Sequence, residues 1–98
     1  HGHLYRVMRL NKQEREKAIK IYDTLTFLKR EIKPGYVEDI KERALHYLNA
    51  EGFKADYVAI ASADSLELIE YWEGKKNIVA LIAAYLNEVR LIDNMLLN

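Results

Sequence analysis

Cysteine is absent from this chain of 98 residues. That excludes disulfides and thiolate metal sites, and nothing here calls for an oxidising compartment, so a cytoplasmic setting is the expectation. Proline occurs once and the four glycines are scattered, so no glycine-rich phosphate loop can be assembled from them. An excess of one charge is also missing: 15 Lys and Arg balance 15 Asp and Glu. No basic surplus therefore predicts nucleic acid or an anionic membrane as a partner. The longest apolar run, Ile78 to Leu86, is far too short to span a bilayer. No signal-peptide pattern opens the chain. What is present suits folding: half the residues are hydrophobic and 31% are charged. That length and composition predict one compact domain rather than two, and not a disordered segment.

The chain opens on His1-Gly2-His3 without an initiating Met. Residues 1–9 read as a tag remnant and linker, and 10–98 as a single domain. Asn11 suits a helix N-cap, with Glu14 three residues on to complete a capping box. Ala18, Ile21, Tyr22, Leu25, Leu28 and Ile32 then recur at three- and four-residue steps, the apolar face of an amphipathic helix. Arg15, Glu16, Lys20, Asp23 and Arg30 occupy the other face. Lys33-Pro34-Gly35 ends it, since proline disfavours helix in the residue before it. A second helix is predicted from about Val37 to Glu51, with Val37, Ile40, Ala44, Leu45, Tyr47 and Leu48 as its buried stripe. Gly52 stands where a left-handed C-terminal residue belongs, and Phe53 continues the core.

From Asp56 the pattern changes. Asp56 itself is read as capping a turn ahead of a strand, Tyr57 to Ala61. Asp64-Ser65 reads as a turn started by side-chain-to-backbone bonds. Leu66 to Trp72 is ambiguous between a helical turn and an edge strand. Ile78 to Leu86 is apolar nearly throughout, where periodicity alone does not separate a buried strand from a buried helix. Its three alanines favour helix. The β-branched Ile78, Val79 and Ile82, and the Asn87-Glu88 step that follows, favour strand, which is the reading adopted. Asn87 tolerates the positive φ of a tight hairpin turn. The expected class is α+β: two amphipathic helices on a small, mostly antiparallel three-stranded sheet.

No Ser stands in a nucleophile setting with a His and an acid, and the carboxylates offer no evident acid–base pair. His46 is a lone histidine on the second helix. His1 and His3 have no downstream ligand cluster, so no metal site and no catalytic residue are assigned. Trp72 is read as core rather than as a recognition surface. Arg90 and Asp93 bracket Leu91-Ile92; they are read as structural, pinning each other or a strand end.

Two blocks together resemble a known family. Asp56-Tyr57-Val58-Ala59-Ile60-Ala61-Ser62, followed by Asp64-Ser65-Leu66-Glu67, is similar to the pattern DYV-x-I-x-D-x-x-T/S-L-E of bacterial pantothenate synthetases. Arg90-Leu91-Ile92-Asp93-Asn94-Met95 resembles the R-L-I-D-N-I/M close of the same family. Upstream, Leu10 to Arg15 resembles its L-S/N-x-E-E-R helix start, so the ordered set covers nearly the whole chain. The resemblance implies a C-terminal lid domain, inactive alone. Its enzyme joins pantoate to β-alanine with ATP and Mg²⁺ through a pantoyl-adenylate, releasing AMP and pyrophosphate. The implied partner is the N-terminal nucleotide-binding domain, which nothing in this chain matches. The family's S-S-R-N loop, which grips the triphosphate, places its Arg on Arg6, while its other three positions fall on Leu4, Tyr5 and Val7. The family's hairpin glycine is Asn87 here. The competing expectation is a small interaction or oligomerisation module, with Tyr71, Trp72 and Met95-Leu96-Leu97 as contact surface and self-association as the outcome.

Overall fold

The computed structural model describes residues 12–98, leaving aside the side chains of residues 13 and 14. Helix α1 (Lys12–Glu31) is followed by β1 (Gly35–Tyr36), α2 (Glu38–Ala50), β2 (Lys54–Ser62), β3 (Tyr71–Trp72), β4 (Ile78–Leu86) and β5 (Val89–Leu96). Strands β2, β4 and β5 form an antiparallel sheet in that order, and β1 pairs antiparallel with β3 in a separate ribbon. The expected α+β class is therefore observed. The His1–His3 opening, Arg6 and the Asn11–Glu14 capping box lie outside the described residues.

Helical spacing places Ala18, Ile21, Leu25 and Leu28 on the buried side of α1, while Tyr22, read as part of that stripe, is exposed. At 37% exposure it lies at the boundary of the stripe, as amphipathic side chains often do. On α2 the buried stripe is Ile40, Ala44 and Leu48. Tyr47 is only half-buried and Val37 is the N-cap rather than a helical residue. The Val37 amide instead donates to Glu70 O at 3.0 Å, which pins the helix start to the β1–β3 ribbon. The end of α2 is a Schellman motif: Phe53 N–H donates to Leu48 O and Gly52 N–H to Asn49 O, with Gly52 at φ +94°. Lys17 of α1 donates to Glu51 O at 2.8 Å, bringing a cation to the negative end of α2 where its own last turn has none.

Both helices pack on one face of the large sheet. Alternation along β4 sends Ile78, Ala80, Ile82, Ala84 and Leu86 into the shared core, where they meet Val58, Ile60 and Leu91. A bulge interrupts β2: Ala55 pairs with Ala84 but Tyr57 with Ala83, so Asp56 is the extra residue. The bulge returns Ala55 to the core side. It also corrects the reading of Asp56, which lies inside β2 rather than ahead of it. The strand begins three residues ahead of its apolar run, a start the sequence conceals because Lys54, Ala55 and Asp56 have little β-propensity of their own.

Of Leu66–Trp72, ambiguous in sequence, Glu67 to Ile69 runs antiparallel along the edge of β2, with Leu68 bridged to Ala61. Ser62 N–H donates to Glu67 O and Ile69 N–H to Ile60 O before the chain reaches β3. Trp72 is buried, as read, and its indole N–H donates to Lys76 O at 2.8 Å. The β1–β3 ribbon was not foreseen. Two-residue strands carry no periodicity, and Gly35 at φ +135° adopts a backbone that other residues rarely take.

Candidate functional site

The motif residues converge on the β2–β4–β5 sheet. The β4–β5 hairpin turns on Asn87-Glu88, with Asn87 at φ +57°, the positive φ at the first turn position that type II′ hairpins need. Opposite faces of β5 then receive the two charged residues that sequence reading set beside one another. Arg90 is exposed and Asp93 is buried at 2% exposure. Three residues apart on a strand, they face opposite ways, so Arg90 and Asp93 do not pin each other. Arg90 instead reaches across β4 to the bulge residue. Its Nη2 donates to Asp56 Oδ2 at 2.8 Å and its Nε to the same oxygen at 3.3 Å. That hydrogen bond, helped by the carboxylate's charge, pushes the Arg90 guanidinium above its ordinary pKa against a smaller desolvation effect. The two family blocks, one in β2 and one in β5, are thus joined by a side-chain bridge. Asp93 turns its Oδ1 to the amide of the next residue, Asn94, at 2.8 Å.

The second motif turn is organised by a residue that sequence reading passed over. Ser62, buried at 5%, accepts from Asp64 N–H at 3.3 Å and Ser65 N–H at 3.4 Å. Sequence reading had credited Asp64-Ser65 with starting this turn. Ser65 does contribute, accepting from Glu67 N–H at 3.2 Å and donating to Glu67 Oε1 at 3.3 Å, but Ser62 Oγ is the hub. Its position, where the family pattern has an acceptor-bearing Asp, was the available signal. Leu66 leaves this turn at φ +63°, an uncommon state for a branched side chain.

At the same end of the sheet, where Ser62 pairs with Ile78, Asn98 acts as a side-chain extension of the ladder. Asn98 Oδ1 accepts from Ile78 N–H at 2.9 Å and its Nδ2 donates to Lys76 O at 3.0 Å. Lys76 O thereby accepts from both Asn98 and Trp72.

His46 lies in a shallow hollow with Phe27, Asp39, Glu42 and Arg43, where the Arg43 guanidinium sits 5.1 Å from the Phe27 ring centre. Tyr36 and Tyr71 make an edge-to-face pair at 5.0 Å on the exposed ribbon. Among the described residues no group of three or more His, Cys, Asp or Glu is placed to hold a metal ion. No helix of the described residues is long and apolar enough to cross a membrane.

This is an α+β domain whose family motifs meet across one three-stranded antiparallel sheet. Residues 5–96 match the family model for pantoate-beta-alanine ligase, and the chain belongs to that family. It is 40% identical over 88 residues to the pantothenate synthetase of Nitrosospira multiformis, covering 88% of this chain and 31% of that protein. The pantothenate synthetase of Fervidobacterium nodosum is 37% identical over 91 residues, covering 91% of this chain and 32% of its own length. The pantoate–beta-alanine ligase of Arabidopsis thaliana is 32% identical over 95 residues, covering 95% and 30%. Among solved structures, a pantothenate synthetase from Thermus thermophilus superposes with a TM-score of 0.70 at 26% identity. That match covers 90% of this chain and 32% of the solved one. The chain thus spans about a third of the length of the curated relatives it matches.

Proposed function

We propose that this chain is the C-terminal lid domain of a pantothenate synthetase, working with a nucleotide-binding part of the same enzyme. The supporting observation is a family match over 5–96 that occupies only about 31% of a relative's length. In the reaction proposed, the pantoate carboxylate attacks the α-phosphorus of ATP and pyrophosphate leaves. The β-alanine amine then attacks the acyl carbon of pantoyl-adenylate, forming the amide and releasing AMP. A lid contributes by excluding water from that acyl-adenylate, which would otherwise hydrolyse. A sheet backed by two helices on one side suits such a rigid cover.

Arg6 is proposed as the phosphate-contacting side chain, at the segment leading into α1. ATP and Mg²⁺ are proposed to act in the full enzyme, with the ion accompanying the nucleotide. The isolated domain is proposed to be inactive.

The test has two arms. The chain alone, mixed with ATP, Mg²⁺, pantoate and β-alanine, is expected to release AMP no faster than background. A chimera carrying this chain in place of the matching third of the Nitrosospira multiformis protein is expected to form pantothenate. Arg6→Ala in that chimera is expected to lower kcat/KM for ATP about tenfold or more, since charge-assisted contacts contribute roughly 1.5–3 kcal/mol. Turnover by the chain alone would overturn the inactive-domain proposal. A folded but inactive chimera would overturn the lid assignment.

A further inference from the structure

Leu66 closes the turn that Ser62 organises, in a state that costs free energy. Its φ of +63° is one that branched side chains rarely take, and its side chain is 63% exposed, so packing within the domain offsets little of the strain. The other two aliphatic residues of the β2 motif block behave differently: Val58 and Ile60 are buried in the core. Glycine or asparagine takes this backbone with less strain, so turn geometry does not account for a leucine here. Leu68, two residues on, is 72% exposed, and Tyr71 follows with Tyr36 edge-on to it at 5.0 Å. Exposed apolar side chains thus gather at the end of the sheet where Ser62 pairs with Ile78. The start of α1 lies at the opposite end. Lys17, in its second turn, donates to Glu51 O beside Gly52, where Lys54 pairs with Tyr85. The nine residues of β2 separate the two ends by roughly 25 Å.

We propose that Leu66 and Leu68 form a latch, packing against the nucleotide-binding part of the same enzyme when the lid closes. This rests on the lid reading above and names a contact which that reading leaves open. A cover joined to its enzyme ahead of α1 is held at that end by the chain itself. It needs a second contact far from the join to fix its angle and keep water out. Leu66 and Leu68 stand at the far end. The occupant follows from length: the match takes up only 31% and 32% of two relatives, so most of each relative lies outside it. Uncharged aliphatic side chains suit this contact, since burying them desolvates no charge. Two leucines flanked by two tyrosines bury far less than a permanent interface does, which suits a contact that opens at every turnover.

The strain makes the test selective. Leu66→Gly relieves the backbone, so the 98-residue chain carrying it is expected to unfold at a higher temperature than the parent. In the chimera with the Nitrosospira multiformis protein, the same change is expected to lower kcat/KM about tenfold, because the closed state loses a buried leucine. A residue that serves only the fold would move stability and activity in the same direction. Thiol labelling reads the contact itself, since this chain has no cysteine of its own. With the recipient's cysteines replaced, Leu66→Cys in the chimera is expected to react with a maleimide about tenfold more slowly once ATP and pantoate are bound. Lys29→Cys, exposed on α1, is expected to react at one rate in both states. An active chimera in which Leu66→Gly keeps the parent kcat/KM would overturn the latch and leave the lid reading standing. Equal reaction of Leu66→Cys in both states of an active chimera would do the same. A folded but inactive chimera would overturn both readings. Slowed labelling of Leu66→Cys in the 98-residue chain as its concentration rises would assign these side chains to a second copy, and would also overturn the latch.

Discussion

The two faces of the three-stranded sheet are built from the same strands yet answer to different constraints. On the helix side, Ile60, Ile78, Ile82 and Leu91 are each fully buried. On the open side, the cross-strand row runs Tyr57, Ala83, Ile92, in which only the small central alanine is covered. The open side also carries the Arg90–Asp56 bridge that links the two family motifs. One face holds the fold together, and the other displays chemistry on a surface the fold has already fixed. A period of two residues achieves this division, and the bulge at Asp56 adjusts it locally.

The sharpest way to break this comparison is to remove the same side chain from each face. Ile82→Ala leaves a cavity among residues that cannot collapse freely, and is expected to cost about 3–4 kcal/mol. Ile92→Ala, one strand away on the open face, is expected to change stability by about 0.5 kcal/mol or less. Urea denaturation midpoints at low protein concentration measure both. Comparable losses would mean that the open face is packed in solution.

A smaller contrast concerns the two turns at the sheet's ends, each holding a non-glycine residue at positive φ. Asn tolerates this state and a β-branched residue does not, so Asn87→Val is expected to cost about 1–2 kcal/mol. Leu66 already bears the strain with its side chain 63% exposed, so it gains little from packing. Leu66→Gly is therefore expected to stabilise the protein by about 0.5–1 kcal/mol. Thermal unfolding of the two variants should move in opposite directions. Movement in the same direction would show that Leu66 makes an interaction that offsets its backbone.

How far the sequence discloses this architecture depends on the range of the signal. The helices announce themselves through apolar spacing, and Gly52 marks the end of α2 because only a left-handed residue closes a Schellman motif comfortably. The β4–β5 hairpin is legible because β-branched residues precede an Asn-led turn. What escapes is whatever depends on a distant partner. Asp56 looks like a turn cap until β5 brings Arg90 to it, 34 positions away. Arg90 and Asp93 look like a pair because they are close in sequence, although strand alternation sends them to opposite faces. The β1–β3 ribbon is four residues held by distant neighbours, and Gly74 is confined by Pro34, whose Cγ would lie 2.9 Å from an added Cβ. The motif residues of the proposed function were legible as a family pattern, but their mutual geometry was not.

The smallest expected effect tests whether the polar groups outside the core follow the same division of labour. Glu73 lies in the loop between the ribbon and β4, where its Oε1 accepts from Lys76 N–H at 3.1 Å and Lys75 N–H at 3.4 Å. The Lys76 amide is the main cause of a carboxyl pKa below its ordinary value, with desolvation working against it and the Lys75 amide adding to it. The folded carboxylate therefore holds its proton less tightly than the unfolded one. Its contribution is fully present above the ordinary glutamate range, about 4.3. As pH falls the unfolded state takes up the proton first, and the contribution is lost by the time pH passes below the lowered folded value. Carboxyl NMR titration is expected to place the Glu73 midpoint below that of an unstructured glutamate. The stability gap between the parent and Glu73→Gln should narrow as pH drops through that window. A gap that does not change with pH would show that the loop amides hold the glutamine as well as the carboxylate, leaving the exposed loop governed by shape rather than charge.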